Sequence, residues 1–258
     1  MPASRRVRAY WDGEHDAYLA HVGTTFQAGR MLPSGSIRES NLWLARAAGL
    51  RAGQRVLDAG CGVCGPGIDI AREIEGLQIV GITLSPRQAS TATALIREEG
   101  LAARLHVVQG DYHGLPFADG AFDVVFFFES IGYASNLVQL FSGVQRVLRP
   151  GGLVYMKDVF RRELLLSDQE REELAEFDRA YVIRTPTVGE CVEAATLAGL
   201  TSIRTRDLSE VVSTAHARRA MFDAAKAGTP CSFGRLHDRR HSCLPVYFAE
   251  LTARTGAA

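Results

Sequence analysis

A glycine-rich turn between an apolar run and a helical segment constrains the fold of this chain more than any other feature. The apolar run ends at Asp58, and Gly60, Gly62 and Gly65 follow it. Pro66 then opens a segment with helical spacing, a position where the missing N–H of proline costs no hydrogen bond. Glycine lets backbone approach a ligand closely, and a helix start directs free N–H groups at that ligand. The sequence therefore predicts a strand–turn–helix unit that binds a nucleotide-like molecule.

The charges around this turn indicate which nucleotide it binds. Read literally, the Gly-x-Gly-x-x-Gly spacing is the fingerprint of dinucleotide-binding folds. However, Asp58 lies two residues before Gly60, where a pyrophosphate would meet a negative charge. The second predicted strand, residues 78–83, also lacks the acidic residue that holds the ribose of NAD. S-adenosylmethionine (SAM) carries an ammonium and a sulfonium, which suit a carboxylate, so the sequence favours SAM over NAD.

Alternating strand and helix patterns predict an α/β fold with a doubly wound, mostly parallel sheet of seven strands, the last one antiparallel. Such a sheet is covered by helices on both faces, and ligands bind at the carboxyl ends of its strands. Residues 1–50 are expected to form a helical N-terminal cap, and residues 161–185 an inserted cap segment over the site. The predicted strands are 55–59, 78–83, 104–109, 122–128, 152–158, 201–207 and 244–252, and the predicted helices are 7–22, 37–48, 66–75, 86–99, 136–148, 167–181, 187–198 and 213–227.

Three motifs in this order resemble those of the class I SAM-dependent methyltransferases. They are the Asp58-x-Gly60-x-Gly62 turn, Gly110-Asp111 after the third strand, and the turn Arg149-Pro150-Gly151-Gly152 before the fifth. The resemblance covers about residues 51–160 and implies a Rossmann-like methyltransferase domain over residues 51–258, with SAM as its cofactor. The expected cofactor-binding residues are Asp58, Gly60, Cys61, Gly62, Thr83, Leu84, Gln88, Asp111, Tyr112 and Phe128.

Further motifs resemble the C-methyltransferases that act on sterols and prenyl diphosphates. Thr83-Leu84-Ser85 stands where most methyltransferases keep an acidic ribose ligand, and Tyr10-Trp11-Asp12-x-Glu14 is similar to the N-terminal entry of the geranyl diphosphate enzymes. The resemblance implies a small-molecule isoprenoid as the acceptor. Those enzymes continue with a histidine-rich segment where this chain has residues 23–27, Gly-Thr-Thr-Phe-Gln. We therefore expect Mg²⁺ only if the acceptor is a diphosphate.

C-methylation of an alkene predicts the kind of residues that the site needs. The π bond attacks the methyl group, and the resulting carbocation is stabilised by aromatic faces and a carboxylate before a base removes a proton. Glu129 follows the buried strand 122–128 and is the predicted catalytic residue; the alternatives are a surface glutamate or a cofactor ligand. Each aromatic candidate has core packing as its alternative. The predicted substrate-binding residues are Tyr10, Trp11, His113, Tyr133, Tyr181 and Arg239.

Two other functions are consistent with the same motifs. An O- or N-methyltransferase of a small metabolite needs a base to deprotonate its acceptor, and His113, in a loop beside the predicted SAM site, is the candidate. A protein that binds SAM without transferring its methyl group, or that uses methylation to trigger a cyclisation, would keep the same glycine turn. The formation of a methylated product would distinguish a methyltransferase from a protein that only binds SAM.

Composition excludes several classes of partner and predicts where the protein acts. With 29 basic and 29 acidic residues in 258, the net charge is zero, which argues against nucleic acid. No apolar run approaches the roughly 18 residues of a membrane span, and no signal-peptide core is present, so a cytoplasmic protein is predicted. A homodimer is compatible with the sequence.

The cysteines are predicted to be free thiols, because their number is five in a chain without a signal peptide. Cys61-x-x-Cys64 has the spacing of a redox or zinc motif, but both positions fall in the glycine turn, which needs small residues. His237-x-x-x-His241 near Cys231 and Cys243 lacks the tight cysteine pair of a structural zinc site, so no metal site is predicted.

Overall fold

A seven-stranded sheet forms the centre of the protein, in a computed structural model that describes residues 3–32, 35–229 and 244–256. The strand order is β4-β3-β2-β5-β6-β9-β7. The strands of this sheet are β2 (Arg55–Ala59), β3 (Gln78–Thr83), β4 (Leu105–Gln109), β5 (Phe122–Phe128), β6 (Leu148–Arg161), β7 (Thr201–Asp207) and β9 (Val246–Arg254). The helices are α1 (Ala3–His21), α2 (Ile37–Ala47), α3 (Gly65–Glu73), α4 (Pro86–Glu98), α5 (Leu137–Val147), α6 (Asp168–Tyr181), α7 (Val188–Leu197) and α8 (Ala215–Lys226).

The pairing of the strands confirms the predicted fold class. Strands β4, β3, β2, β5 and β6 are parallel, and β9 runs antiparallel to both β6 and β7. Every residue of β5 except Asp123 is buried, as expected for a central strand covered by helices on both faces. The order reverses between β2 and β5, so the carboxyl ends of these two strands flank the crevice in which ligands of open α/β sheets bind.

Two strands were not predicted. β1 (Arg30–Met31) and β8 (Val212–Ser213) form a separate two-stranded antiparallel sheet. Two-residue strands are too short to show the alternation that identifies a strand in sequence. β6 is also longer than predicted, because its antiparallel partner β9 extends the pairing to Arg161.

The two N-terminal helices have different surroundings. Ser36 caps α2 by accepting from the Glu39 N–H, and α2 packs its apolar face into the core beside β2 and β3. In contrast, α1 lies against α4 and α8 at the carboxyl end of the sheet. No described helix is long and apolar enough to cross a membrane. The division of the chain into a cap and a catalytic domain stays a prediction.

Candidate functional site

A cavity opens at the carboxyl ends of β2, β3 and β5, with about 730 Å³ of empty space that includes open solvent. Most of the predicted site residues lie on its wall. They are Asp58, Gly60, Cys61, Gly62, Thr83, Leu84, Gln88, Tyr112, Phe128, Glu129, Trp11 and Tyr133.

Four predicted site residues within the described part of the chain do not lie on this wall: Tyr10, Asp111, His113 and Tyr181. The fifth, Arg239, lies outside the described residues, as do Cys231, His237, His241 and Cys243. The wall also contains Val7, Thr24, Phe26, Gln27 and Ser130, which the sequence did not single out.

The glycine turn is shaped by packing on one side and by the cavity on the other. Gly60 has φ +92, and a Cβ there would lie 2.5 Å from the Cβ of Ser130, whose hydroxyl donates to Ala59 O at 2.6 Å. Gly62 has φ +56, but a Cβ there would meet nothing closer than 3.8 Å. Gly60 is therefore required by the fold, while Gly62 leaves room at the cavity wall.

Asp58 is a buried carboxylate at the end of β2 and is only 3% exposed. Burial raises the pKa of its carboxyl from the ordinary 3.8 to about 8. A cationic ligand beside it would favour the ionised form and reverse this effect. The position and charge of Asp58 thus fit the ammonium group of SAM.

The residues after β3 form a hydrogen-bonded chain that reaches α1. The Thr83 hydroxyl donates to Gln88 Oε1 at 2.7 Å, so the amide nitrogen of Gln88 remains available toward Gly62. Ser85 accepts from the Gln88 N–H at 3.0 Å as the cap of α4, and its own hydroxyl donates to Asp12 at 2.6 Å. Both sequence interpretations of this stretch, helix cap and ligand contact, are compatible with this geometry. An amide donor here suits the hydroxyls of a ribose.

His113 and Asp111 are engaged with each other rather than with the cavity. Asp111 accepts from the His113 backbone N–H at 2.9 Å and pairs with His113 Nδ1 at 2.7 Å. The hydrogen bond from the His113 side chain is the main reason why the pKa of the Asp111 carboxyl lies below its ordinary value. His113 Nε2 accepts from the Ser135 N–H at 3.1 Å. Both ring nitrogens therefore have protein partners, which does not favour His113 as the base of an O-methyltransferase.

Glu129 lies on the cavity wall but is held by a set of contacts that the sequence did not predict. Its backbone is left-handed, with φ 59, and its carboxylate accepts from the N–H groups of Ala28 at 2.6 Å and Gly29 at 3.0 Å. It also forms an ion pair with Lys157, whose side chain is 0% exposed and whose Nζ donates to Gly29 O at 2.7 Å. These contacts, which we call the Glu129–Lys157 latch, fix residues 28–29 over the end of β5.

The sequence itself contains a signal that points to Lys157. It is one of two lysines in the chain and ends the apolar stretch of a predicted strand. A buried ammonium must find a partner, because an isolated charge is costly to remove from water. That partner could have been sought among carboxylates at neighbouring strand ends, of which Glu129 is one.

Aromatic rings form the roof of the cavity on the side of α1. Trp11 stacks on Phe26 with ring centroids 5.8 Å apart and meets Tyr133 edge-on at 5.7 Å. Tyr10 and Tyr181 lie behind this layer: the hydroxyl of Tyr10 is 3.2 Å from that of Tyr18, and the ring of Tyr181 packs on Phe177. The roof thus presents Trp11, Phe26 and Tyr133 to whatever the cavity holds.

Asp158 is a second buried carboxylate that sequence reasoning did not assign. It is 5% exposed and accepts from the N–H groups of Ile131 at 2.8 Å and Val159 at 2.7 Å. Burial, followed by the nearby Glu129, raises the pKa of its carboxyl to about 7. Its contact with Ile131 anchors the short 3₁₀ helix Ile131–Tyr133, which carries Tyr133 into the cavity.

Comparisons with known proteins show which proteins the chain is similar to. Residues 56–152 match a family described as a methyltransferase domain. Sterol 24-C-methyltransferase ERG6B of Gibberella zeae is 38% identical over 111 residues, which are 43% of this chain and 29% of that protein. The chain spans less than half the length of the curated relatives that it matches.

Two crystal structures share the fold over nearly the whole chain. The [4+2]-cyclase SpnF matches with a TM-score of 0.83 and 23% identity, over 100% of this chain and 98% of the other. Geranyl diphosphate C-methyltransferase from Streptomyces coelicolor A3(2), solved with Mg²⁺, geranyl diphosphate and S-adenosyl-L-homocysteine, matches with a TM-score of 0.75 and 17% identity, over 98% of both chains. With its sheet order and glycine turn, the chain has the class I methyltransferase fold, its residues 56–152 match a methyltransferase domain, and part of it is similar to the sterol 24-C-methyltransferases.

Proposed function

We propose that this protein transfers a methyl group from SAM to an alkene carbon of an isoprenoid, through a carbocation. The observation that carries this proposal is the aromatic roof of Trp11, Phe26 and Tyr133, which closes the same cavity that the glycine turn lines. The identity with a sterol 24-C-methyltransferase supports carbon as the acceptor atom.

The cofactor would be held by residues on the β2 and β3 side of the cavity. Asp58 faces an ammonium, Gln88 supplies an amide donor to the ribose, and the open face of Gly62 leaves room for the ligand. When bound there, SAM supplies an electrophilic methyl group on a sulfonium. With an ammonium beside it, the Asp58 carboxyl would release to solvent the proton that burial retains on it.

The chain stabilises the cation chiefly through aromatic faces. A cation over such a face gains about 0.5–2 kcal/mol, with the larger value where water is excluded. Trp11 and Phe26 cover the cavity on the side of α1, and Tyr133 borders the same space. No hydroxyl has to be deprotonated before an alkene attacks, which is consistent with the protein contacts of His113.

The catalytic role of Glu129 stays a prediction. Its carboxylate borders the cavity, where negative charge would stabilise a cation, but Lys157 and two backbone N–H groups already interact with it. These three donors occupy lone pairs of the carboxylate, and a base needs a free lone pair that faces the proton it removes. Removal of the final proton by Glu129 is therefore the step that needs the most direct test.

The test is an assay with methyl-labelled SAM and a panel of prenyl diphosphates, isoprenoid alcohols, sterols and phenols. We expect a C-methylated isoprenoid, and we expect Trp11→Leu to lower kcat by about tenfold or more while Trp11→Phe retains most of it. Adding EDTA should reduce turnover only if the accepted substrate is a diphosphate. Methylation of a phenol oxygen and of no alkene would contradict the proposal.

The structural similarity to the cyclase SpnF supports a second candidate function. In this candidate the protein is a cyclase that binds SAM without transferring its methyl group. The latch favours this candidate in one respect, because it occupies the carboxylate that would serve as the base. The same labelled assay separates the two functions. Saturable binding of S-adenosylhomocysteine with no labelled product from any acceptor would favour the cyclase.

A further inference from the structure

The amide of Gln27 is a buried donor without a partner among the described residues. Gln27 is 4% exposed and lies on the cavity wall, and its Nε2 makes no hydrogen bond there. Its backbone is fixed, because the carbonyl accepts from His216 Nε2 at 2.9 Å. A buried donor that lacks an acceptor is costly, so an amide held in this way is suited to a ligand.

The neighbours of Gln27 place this residue near the end of β5, beside the aromatic roof. Phe26 stacks on Trp11, and the N–H groups of Ala28 and Gly29 bind Glu129 at the end of β5. The residues that suit the ribose lie at the end of β3, and β2 separates β3 from β5 in the sheet. Gln27 therefore belongs to the part of the cavity that the aromatic roof covers.

The charge of the cavity wall limits what this amide can recognise. The described lining residues include the carboxylates of Asp58 and Glu129 but no arginine, lysine or histidine. A diphosphate brought there would find no cationic side chain among the described lining residues, and anionic oxygens usually require charged donors. A neutral oxygen needs only one N–H donor, which Gln27 supplies.

We propose that the Gln27 side chain donates a hydrogen bond to a neutral oxygen of the acceptor. The substrate class is then an alkene that carries an uncharged hydroxyl, carbonyl or ether oxygen, and not a diphosphate ester. This inference rests on the proposed function and narrows it. Gln27 is then the residue that distinguishes alkenes with such an oxygen from alkenes without one.

The first experiment measures the ligand-free protein and its cofactor complex. Gln27→Met keeps the length of the side chain and removes the unpaired donor, so we expect Tm to rise by about 2–4 °C. The affinity for S-adenosylhomocysteine, measured by calorimetry, should stay within about threefold of wild type. Gln169→Met, at an exposed position on α6, is the matched control and should change neither quantity.

Two results of this experiment would overturn the inference. A lower Tm in Gln27→Met would show that the amide supports the fold. A loss of about tenfold or more in the affinity for S-adenosylhomocysteine would make Gln27 a ligand of the cofactor. Neither result depends on knowing the natural acceptor.

The second experiment compares geraniol, geranyl diphosphate and the corresponding hydrocarbon as acceptors of labelled methyl groups. We expect the wild type to prefer geraniol, and Gln27→Met to lower kcat/KM for geraniol about tenfold without affecting the hydrocarbon. A preference for geranyl diphosphate would overturn the inference. If no acceptor is methylated, the proposed function fails, and the Tm and cofactor measurements still decide whether Gln27 serves another ligand.

Discussion

At the scale of single residues, two glycines of one turn have different tasks. Gly60 is closed off by Ser130, which leaves no space for a Cβ whether or not a ligand is present. This packing is a second reason for a glycine at position 60, besides the close approach of a ligand that the sequence predicts. Gly62 faces the cavity, where a Cβ would make only ordinary contacts with protein atoms.

The two glycines predict that a substitution at Gly60 mainly lowers stability and that one at Gly62 mainly weakens cofactor binding. Gly60→Ala should lower the free energy of unfolding by about 2 kcal/mol or more, because Ser130 must move and the left-handed backbone is strained. Gly62→Ala should cost about 1 kcal/mol in stability while reducing affinity for S-adenosylhomocysteine by about tenfold or more. Urea unfolding and calorimetry measure the two effects. Unchanged affinity in Gly62→Ala would remove this turn from the cofactor site.

Asp58 predicts how cofactor binding depends on pH. Because the pKa of its carboxyl is about 8 in the ligand-free protein, it is mostly protonated at pH 6. A cationic ligand binds the ionised form better, so affinity for S-adenosylhomocysteine should rise between pH 6 and 7.5, by up to about tenfold per unit. Asp58→Asn should lose this slope. Calorimetry at several pH values, in buffers with different ionisation enthalpies, would also detect the released proton.

Asp158→Asn is the control, since Asp158 also has a raised pKa but does not line the cavity. Asp158→Asn should keep the slope, and a slope lost only in this variant would contradict the assignment.

The pH dependence of folding stability has the opposite sign to that of cofactor affinity. Since the folded pKa of Asp58 lies above the ordinary 3.8, its contribution to the stability of the ligand-free protein is complete below about pH 4 and is lost as pH rises through about 8.

At the scale of elements, the Glu129–Lys157 latch joins β5, β6 and the segment after α1. Lys157 Nζ binds Gly29 O, and Glu129 binds the N–H groups of Ala28 and Gly29. Removing one partner of a buried ion pair leaves the other charge unpaired, at a cost of about 3–5 kcal/mol. The latch therefore couples the position of residues 26–29, and with them Phe26 and Gln27, to the end of β5.

A double-mutant cycle separates the structural role of Glu129 from its predicted catalytic role. Glu129→Gln and Lys157→Met should each lower the free energy of unfolding by about 3–5 kcal/mol, and the double variant should recover about half or more of that loss. Glu73→Gln, in the exposed pair with Arg38, is the control and should cost less than about 1 kcal/mol.

Methyl transfer in the same double variant decides the catalytic prediction. If Glu129 stabilises the cation and removes its proton, turnover stays about a hundredfold or more below wild type although stability has recovered. Turnover near that of wild type in the double variant would show that the catalytic prediction is wrong and that Glu129 serves as a latch.

At the scale of the whole molecule, the roof extends beyond its aromatic rings to α1 and the segment after it, which pack at the carboxyl end of the sheet. Asp12 accepts from Ser85, His15 pairs with Thr91 at 2.9 Å, and Arg87 donates to Asp16 at 2.8 Å. Arg87 and Asp16 are solvent-exposed, so their ion pair contributes little to stability. Besides these polar contacts, α1 shares a small apolar cluster around Tyr18 and Ala224, so α1 is expected to open locally without global unfolding.

Cofactor binding should therefore close the roof selectively. At a concentration of S-adenosylhomocysteine about 100 times its Kd, amide hydrogen exchange in residues 7–29 and 60–66 should slow by up to about a hundredfold, because the open form does not bind the ligand. Residues 201–207 in β7, at the edge of the sheet, should exchange as in the free protein. Mass spectrometry measures this exchange, and unchanged exchange rates in residues 7–29 would contradict the prediction.

The sequence determined the elements and the residues that line the cavity at the ends of β2 and β3, because both depend on local patterns. The strands 55–59, 78–83 and 122–128 have the predicted bounds, since an apolar run between turn residues identifies a buried strand. Asp58, Gly62, Thr83 and Gln88 lie on one cavity, because parallel strands bring their carboxyl ends to the same edge of the sheet.

The tertiary structure alone decided the acceptor side. Trp11 and Tyr133 face the cavity while Tyr10 and Tyr181 lie behind them, which depends on how α1 docks and not on residue type. Glu129 meets the N–H of Ala28, 101 residues away, and a lysine 28 residues further along, so its environment was invisible to any local pattern. The physical reason is that the side chains of this half are placed by long-range packing, whereas the glycine turn is specified by the backbone conformations that its own residues permit.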